Sequence, residues 1–126
     1  MKYAAKLVLV SLALAIPAIL SAQPARELYQ EANKVTAEAD KKLNLAYEQL
    51  IKSIRADNSE DRAALIIERL RESQRAWLKY RDAQVVFVGT HADVGSASSR
   101  AAGMALYSSD LTEQRVKDLK DVPNPF

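Results

Sequence analysis

The sequence predicts an all-α protein, an antiparallel hairpin of two long helices covered by a third helical segment, after an N-terminal signal peptide. Three observations carry this. Apolar and small residues recur at steps of three and four through most of the chain. Glycine and proline are scarce, three and four in 126 residues. No stretch alternates apolar and polar residues as a half-buried strand would.

The first 22 residues have the layout of a secretory signal. Lys2 and Lys6 precede a run from Leu7 to Leu20 that is apolar or small apart from Ser11. Pro17 lies near its end, and Ser21-Ala22 offers small residues for cleavage after Ala22. The run of about 14 residues is short of the roughly 20 that a membrane span requires. The expected organisation is a signal over 1–22, a helical domain over 23–122 and a frayed tail over 123–126. The expected location is periplasmic or secreted, with no stable membrane anchor after cleavage.

From Arg26 to Ala56 there is no glycine or proline. Leu28, Ala32, Val35, Ala39, Leu43, Tyr47, Leu50 and Ile54 form one stripe of a first helix, with Glu31, Lys34, Glu38, Lys41, Lys42 and Glu48 on its other faces. Asp57-Asn58-Ser59 breaks the pattern with residues that favour caps and turns. A second helix follows from about Glu60, its first turn acidic as the helix dipole favours. Its stripe is Ala63, Ile66, Leu70, Ser73, Trp77, Tyr80, Gln84 and Phe87, and Gly89 is the expected stop. So short a connection between two long helices sets them antiparallel. Gly89 to Ser99 reads as a loop. A third helix spans about Ser98 to Lys120, with Met104, Tyr107, Leu111 and Leu119 inward and Thr112 capping a restarted turn.

Composition narrows the function. The chain has 18 basic and 16 acidic side chains. Two of the basic ones lie in the signal, so the remainder is formally neutral and gives no reason to expect a nucleic-acid partner. The absence of cysteine rules out disulfides, thiolate metal sites and a lipidated cysteine. The single histidine, His91, has no second histidine or clustered carboxylates at metal-ligand spacing. No phosphate-cradling glycine loop is present, and Ser96, Ser98 and Ser99 have no identifiable base. Neither enzyme chemistry nor a cofactor is expected.

The most unusual segment runs from Ser73 to Ala83. Trp77 and Tyr80 lie on the apolar stripe and read as core anchors, although Trp, Tyr and Arg are also the residues enriched at binding hot spots. Around it, four pieces stand in order. They are Leu43-Asn44 with Tyr47 and Leu50; Gln74-Arg75-Ala76-Trp77 leading to Tyr80-Arg81-Asp82-Ala83; Gly95-Ser96; and Leu111-Thr112-Glu113-Gln114-Arg115 ahead of Leu119. Together they resemble the family named for the lysozyme inhibitor LprI, over Leu43 to Leu119. The resemblance departs at Val94, where a first glycine is usual, and at Val85 and Tyr107, where family members usually carry cysteines. Such a bridge would close a loop of roughly 20 residues and contribute about 3 kcal/mol. Its loss at both ends implies that Val85 and Tyr107 now pack as an apolar pair.

The resemblance implies a helical domain with a protein partner, lysozyme by the family's name. Occluding a sugar cleft needs a protrusion, and the loop from Gly89 to Arg100 is the suitable segment, with His91, Ser96 and Arg100 as hydrogen-bond donors. The alternative is a non-inhibitory envelope module that binds another envelope protein or peptidoglycan through a helix face. Asn44, Tyr47, Gln74, Trp77, Tyr80, Arg81, Asp82, Thr112 and Arg115 are the family-motif residues, read as structural. Within them Arg81, Asp82 and Arg115, with Asn44 and Tyr47, are expected to form a polar network. Adjacent residues diverge on a helix, so Arg115 is expected to meet Asp82 in preference to Arg81.

Overall fold

The computed structural model describes residues 16–93 and 95–123, with side chains from residue 24 onward. Three helices account for nearly all of it: α1 (Ile16–Asp57), α2 (Glu60–His91) and α3 (Ala97–Lys120). Among the described residues there is no strand. The residues assigned to the head of the signal, Met1 to Ala15, and the last three of the tail lie outside the described residues. No helix among the described residues is long and apolar enough to cross a membrane.

The hairpin forms where Asp57-Asn58-Ser59 breaks the periodicity. Ser59 occupies the N-cap position of α2 in an extended conformation, and Glu60 and Asp61 fill the first turn. Asn58 braces the corner from its side chain: Nδ2 donates to Ile54 O (2.8 Å) and Oδ1 accepts from Arg62 Nε (3.1 Å).

Helices α1 and α3 make the closest pairing, and they run parallel. Thr36 Oγ1 lies between Ala32 O (2.9 Å) and Ala105 O (3.0 Å), and farther along both helices Lys42 Nζ meets Glu113 Oε1 at 2.6 Å. The seam runs at alternating steps of four and three, with small residues at eight of its twelve positions and larger apolar ones toward the hairpin end. Ala32, Thr36, Ala39, Leu43, Ala46 and Leu50 on α1 match Ala102, Ala105, Ser109, Thr112, Val116 and Leu119 on α3. Nine of these twelve are buried, and Thr36, Leu50 and Ala105 are half-buried. A 3.5-residue repeat keeps one seam in register, and side chains this small let two helix backbones approach closely.

Helix α2 lies antiparallel to both and touches α1 sparingly. Its inward residues are Ala63 and Ile67, buried, then half-buried Leu70 and Trp77, which pack on the cluster of Leu43, Ala46, Val116 and Leu119. Tyr80 and Phe87 correct the sequence reading. They are 55% and 63% exposed, because the close α1–α3 pair leaves α2 room to bury only a narrow strip. Leu28 and Val35 on α1, also expected on the inward stripe, are exposed as well.

Gly89 does not stop α2. It is buried inside the helix where α3 crosses, and a Cβ there would stand 2.6 Å from Met104 Cγ. Its role is close approach, which also shortens the expected loop to Ala92–Ser96. Nor does α3 restart at Thr112. The helix is continuous there, and Thr112 is wholly buried with its hydroxyl donating to Ser108 O at 2.8 Å.

Candidate functional site

The motif residues gather at mid-height of the bundle around Trp77. Arg81, on the next turn of α2, has a side chain only 16% exposed. Its Nη1 donates to Asp40 Oδ1 on α1 (3.2 Å) and to Thr112 Oγ1 on α3 (3.3 Å), and its Nε donates to Asp82 Oδ1 (3.1 Å). One guanidinium therefore ties all three helices. Its Cζ is 5.2 Å from the Trp77 ring centroid, and that of Arg115 is 5.9 Å away, both within cation–π range. Arg115 Nε donates to Gln74 Oε1 (3.1 Å) and Nη2 to Ser73 Oγ (2.9 Å). Among the described residues every buried side-chain nitrogen or oxygen has a partner, as a low-dielectric interior demands.

The arginine–aspartate pairing is the reverse of the one expected. Arg81, not Arg115, meets Asp82. The antiparallel register sets Thr112 against Arg81, so Arg115, three residues on, reaches Ser73 and Gln74, and Asp82 lies at the other end of the network. Asp82 curls onto its neighbour because its side chain is 70% exposed and free to turn. Asp40, the network's anchor on α1, was not singled out from sequence. Its signal was an acid set between Ala39 and Leu43 on the buried seam, four residues before Asn44.

Asn44 and Tyr47 stand beside the network and face a groove between α1 and α2. The groove holds about 470 Å³ and is lined by Asp40, Leu43, Asn44, Tyr47, Arg71, Gln74, Arg75, Leu78 and Arg81. Tyr80, by contrast, points to solvent, away from this assembly. Gln84 Nε2 donates to Tyr107 Oη at 3.4 Å, which brings the level of Val85 against Tyr107's helix.

The second predicted site is the tip where α2 turns into α3. His91 is the last residue of α2, exposed and stacked on Phe87 with centroids 6.1 Å apart and planes 16° apart. Ser96 is the N-cap of α3: its Oγ accepts from Ser99 N (3.1 Å) and donates to Ser99 Oγ (2.8 Å). Arg100 lies in the first turn of α3, exposed beside a recess of about 150 Å³. These three residues share one end of the molecule, but two sit on helices and only Ser96 is on the loop. On the far side of the bundle the hydrogen bond and charge of Glu113 hold Lys42 above its ordinary value of 10.5.

The fold and the site define a small three-helix bundle tied at its waist by a polar network. The comparisons give it a family. The model of the family described as Lysozyme inhibitor LprI matches residues 20–119, and the chain belongs to that family. An uncharacterized protein of Rhizobium meliloti (strain 1021) is 34% identical over 89 residues, 67% of this chain and 63% of that protein. The match thus spans somewhat less than two thirds of the relative's length. No solved structure matches the chain.

Proposed function

We propose that the chain is exported to the periplasm, inhibits lysozyme-type muramidases, and does so by seating the α2–α3 tip in the enzyme's sugar cleft. The build of the tip is the observation that carries this reading. His91 and Arg100 are exposed donors at one end of a rod, on either side of Ser96, whose hydroxyl is committed to capping α3, and helix ends brace them: Ala92 N donates to Val88 O and Arg100 N to Ser96 O. Exposed Val86 and Phe87 lie on the adjoining turn. A muramidase cleft is lined by a pair of catalytic carboxylates, which a guanidinium and an imidazole complement. Preorganised donors bind at lower entropic cost than a mobile loop.

Export is supported by Pro24. It lies inside α1, where an interior proline costs about 3 kcal/mol. Cleavage after Ala22 would place it next to the new helix start, where its missing N–H is no loss.

The test is a turbidity assay of cell-wall lysis by lysozyme with and without the purified exported chain. Inhibition is expected. Replacing Ala92–Ser96 by a Gly-Ser segment of equal length, together with His91→Ala and Arg100→Ala, should abolish it while the helical circular-dichroism signal is retained. Unchanged inhibition by that variant would move the site to a helix face.

A further inference from the structure

Helices α1 and α2 touch sparingly beyond the hairpin, and two recesses lie along their junction. The groove beside Asn44 and Tyr47 meets a second recess of about 510 Å³ near the hairpin, and Arg71 is a wall of both. Arg55, Arg71, Arg75 and Arg81 line the whole, against Asp40 and Glu60 as the only carboxylates on its walls among the described residues. Arg81 is committed to Asp40, Asp82 and Thr112. Arg71 and Arg75 are not comparably engaged. They share one carboxylate, Glu68, at 3.5 and 3.4 Å, with their side chains 52% and 64% exposed. Exposed pairs at such distances are worth little, so both forks remain free to exchange Glu68 for a better-placed anion.

The rest of the lining selects among anions. Asn44 and Gln74 stand on opposite walls, and Arg115 already occupies Gln74 Oε1, which leaves the Gln74 amide nitrogen as a donor. Carboxamides of this kind match the donors and acceptors of a peptide backbone. Leu43 and Leu78 add apolar contact between them. Stacking ligands find little platform: half-buried Tyr47 packs on the core as it lines the groove, and Trp77 lies against Arg81 and Arg115. The span from Glu60 to Arg81 is about 30 Å at the helical rise, the reach of roughly nine extended residues.

We propose that the furrow between α1 and α2 binds an extended acidic peptide segment of a protein partner. Arg71 and Arg75 hold its carboxylates in forked hydrogen bonds, and Asn44 and Gln74 hold its backbone. This site is separate from the tip and does not depend on the muramidase reading.

The test uses fluorescence anisotropy with a labelled peptide of roughly nine residues carrying alternating glutamates, and a counterpart with glutamine in their place. The glutamate peptide should bind saturably, one per chain, and the glutamine peptide should not. Arg71→Ala/Arg75→Ala should weaken binding by about tenfold or more with an unchanged thermal melt, since both side chains are largely exposed. Arg71→Lys/Arg75→Lys, which keeps charge and loses the fork, should fall between. Lys34→Ala/Lys117→Ala removes equal charge from other faces and should change binding by less than about twofold. The proposal is overturned by equal binding of the two peptides, by equal losses in the two alanine pairs, or by no saturation. A chain with the replaced tip should bind the peptide like the parent, so the two readings fail separately.

Discussion

Replacing Arg81 by alanine removes the guanidinium that joins α1, α2 and α3, and the structure lets its effect be sized. The contact with the Trp77 ring at 5.2 Å is worth about 1 kcal/mol for a largely desolvated arginine. The bond to Asp40 is charge-assisted, but the Asp40 side chain is 49% exposed. Solvent screening holds that term to about 1 kcal/mol. The Asp82 bond is more exposed still and adds little. Loss of the aliphatic stem against the waist contributes a further fraction to about 1 kcal/mol. Thr112 keeps its donation to Ser108 O, so no buried hydroxyl is orphaned. The expected loss is about 2–3 kcal/mol, or roughly 10–20 °C in melting temperature for a domain near 100 residues.

Thermal melts by circular dichroism measure this directly. Arg81→Lys should recover less than half of the loss, because an ammonium cannot bridge Asp40 and Thr112 while lying on the indole. A double-mutant cycle with Asp40→Asn should return a coupling of about 1 kcal/mol. A melting temperature within about 2 °C of the parent for Arg81→Ala would refute the argument that this network binds the bundle's waist.

Other perturbations test the packing. Gly89→Val sets a branched side chain against Met104 and should cost about 1–3 kcal/mol by urea titration; an unchanged midpoint would mean α3 does not depend on close approach there. Ala39→Leu should overpack the α1–α3 seam by a similar amount, about 1–3 kcal/mol, whereas Ala37→Leu, on the exposed face, should be nearly silent. Val85→Cys with Tyr107→Cys should restore the bridge that the family resemblance implies and stabilise the oxidised chain by about 3 kcal/mol; free thiols after oxidation would show that the two positions do not face each other. Glu113 raises the Lys42 value in the folded state, so the pair's contribution is full below the unfolded lysine value and fades as pH rises through the folded one. Lys42→Met should therefore flatten the alkaline limb of the stability curve, and an unaltered limb would show the pair contributes nothing.

Periodicity made the three helices legible, and the Asp57-Asn58-Ser59 break placed the hairpin to within a residue. It did not reveal which helices pair most closely. A stripe scored by large apolar residues favours Leu28, Val35, Tyr80 and Phe87, all of which are exposed, and passes over Ala102, Ser109 and Thr112, which are buried. Small residues carry little hydrophobic signal individually, yet at alternating steps of four and three they define the tightest contact in the molecule. Gly89 was misread because a glycine near a helix end suits both a stop and a close crossing, and only the position of Met104 separates the two. The motif residues were found, but their partners depended on register, which no local spacing reveals.

The uneven distribution of side-chain size also explains why there is a furrow at all. Alanine, serine and threonine along the α1–α3 seam draw those two backbones together. Helix α2 brings Leu70 and Trp77 to the same core, and these larger residues hold it off. With one side of the triangle short, α2 can satisfy α3 and the Leu43–Ala46 cluster only by opening away from α1. Arg81 then spans the residual gap to Asp40, while polar Asn44, Arg71, Gln74 and Arg75 line what is left open. Widening the short side should narrow the furrow, because α2 could then settle between better separated partners. Ala39→Leu/Ala46→Leu is therefore expected to weaken acidic-peptide binding even though it touches no residue proposed to contact the peptide. Peptide affinity equal to the parent's, in a variant that remains folded, would show that the furrow's width is set elsewhere.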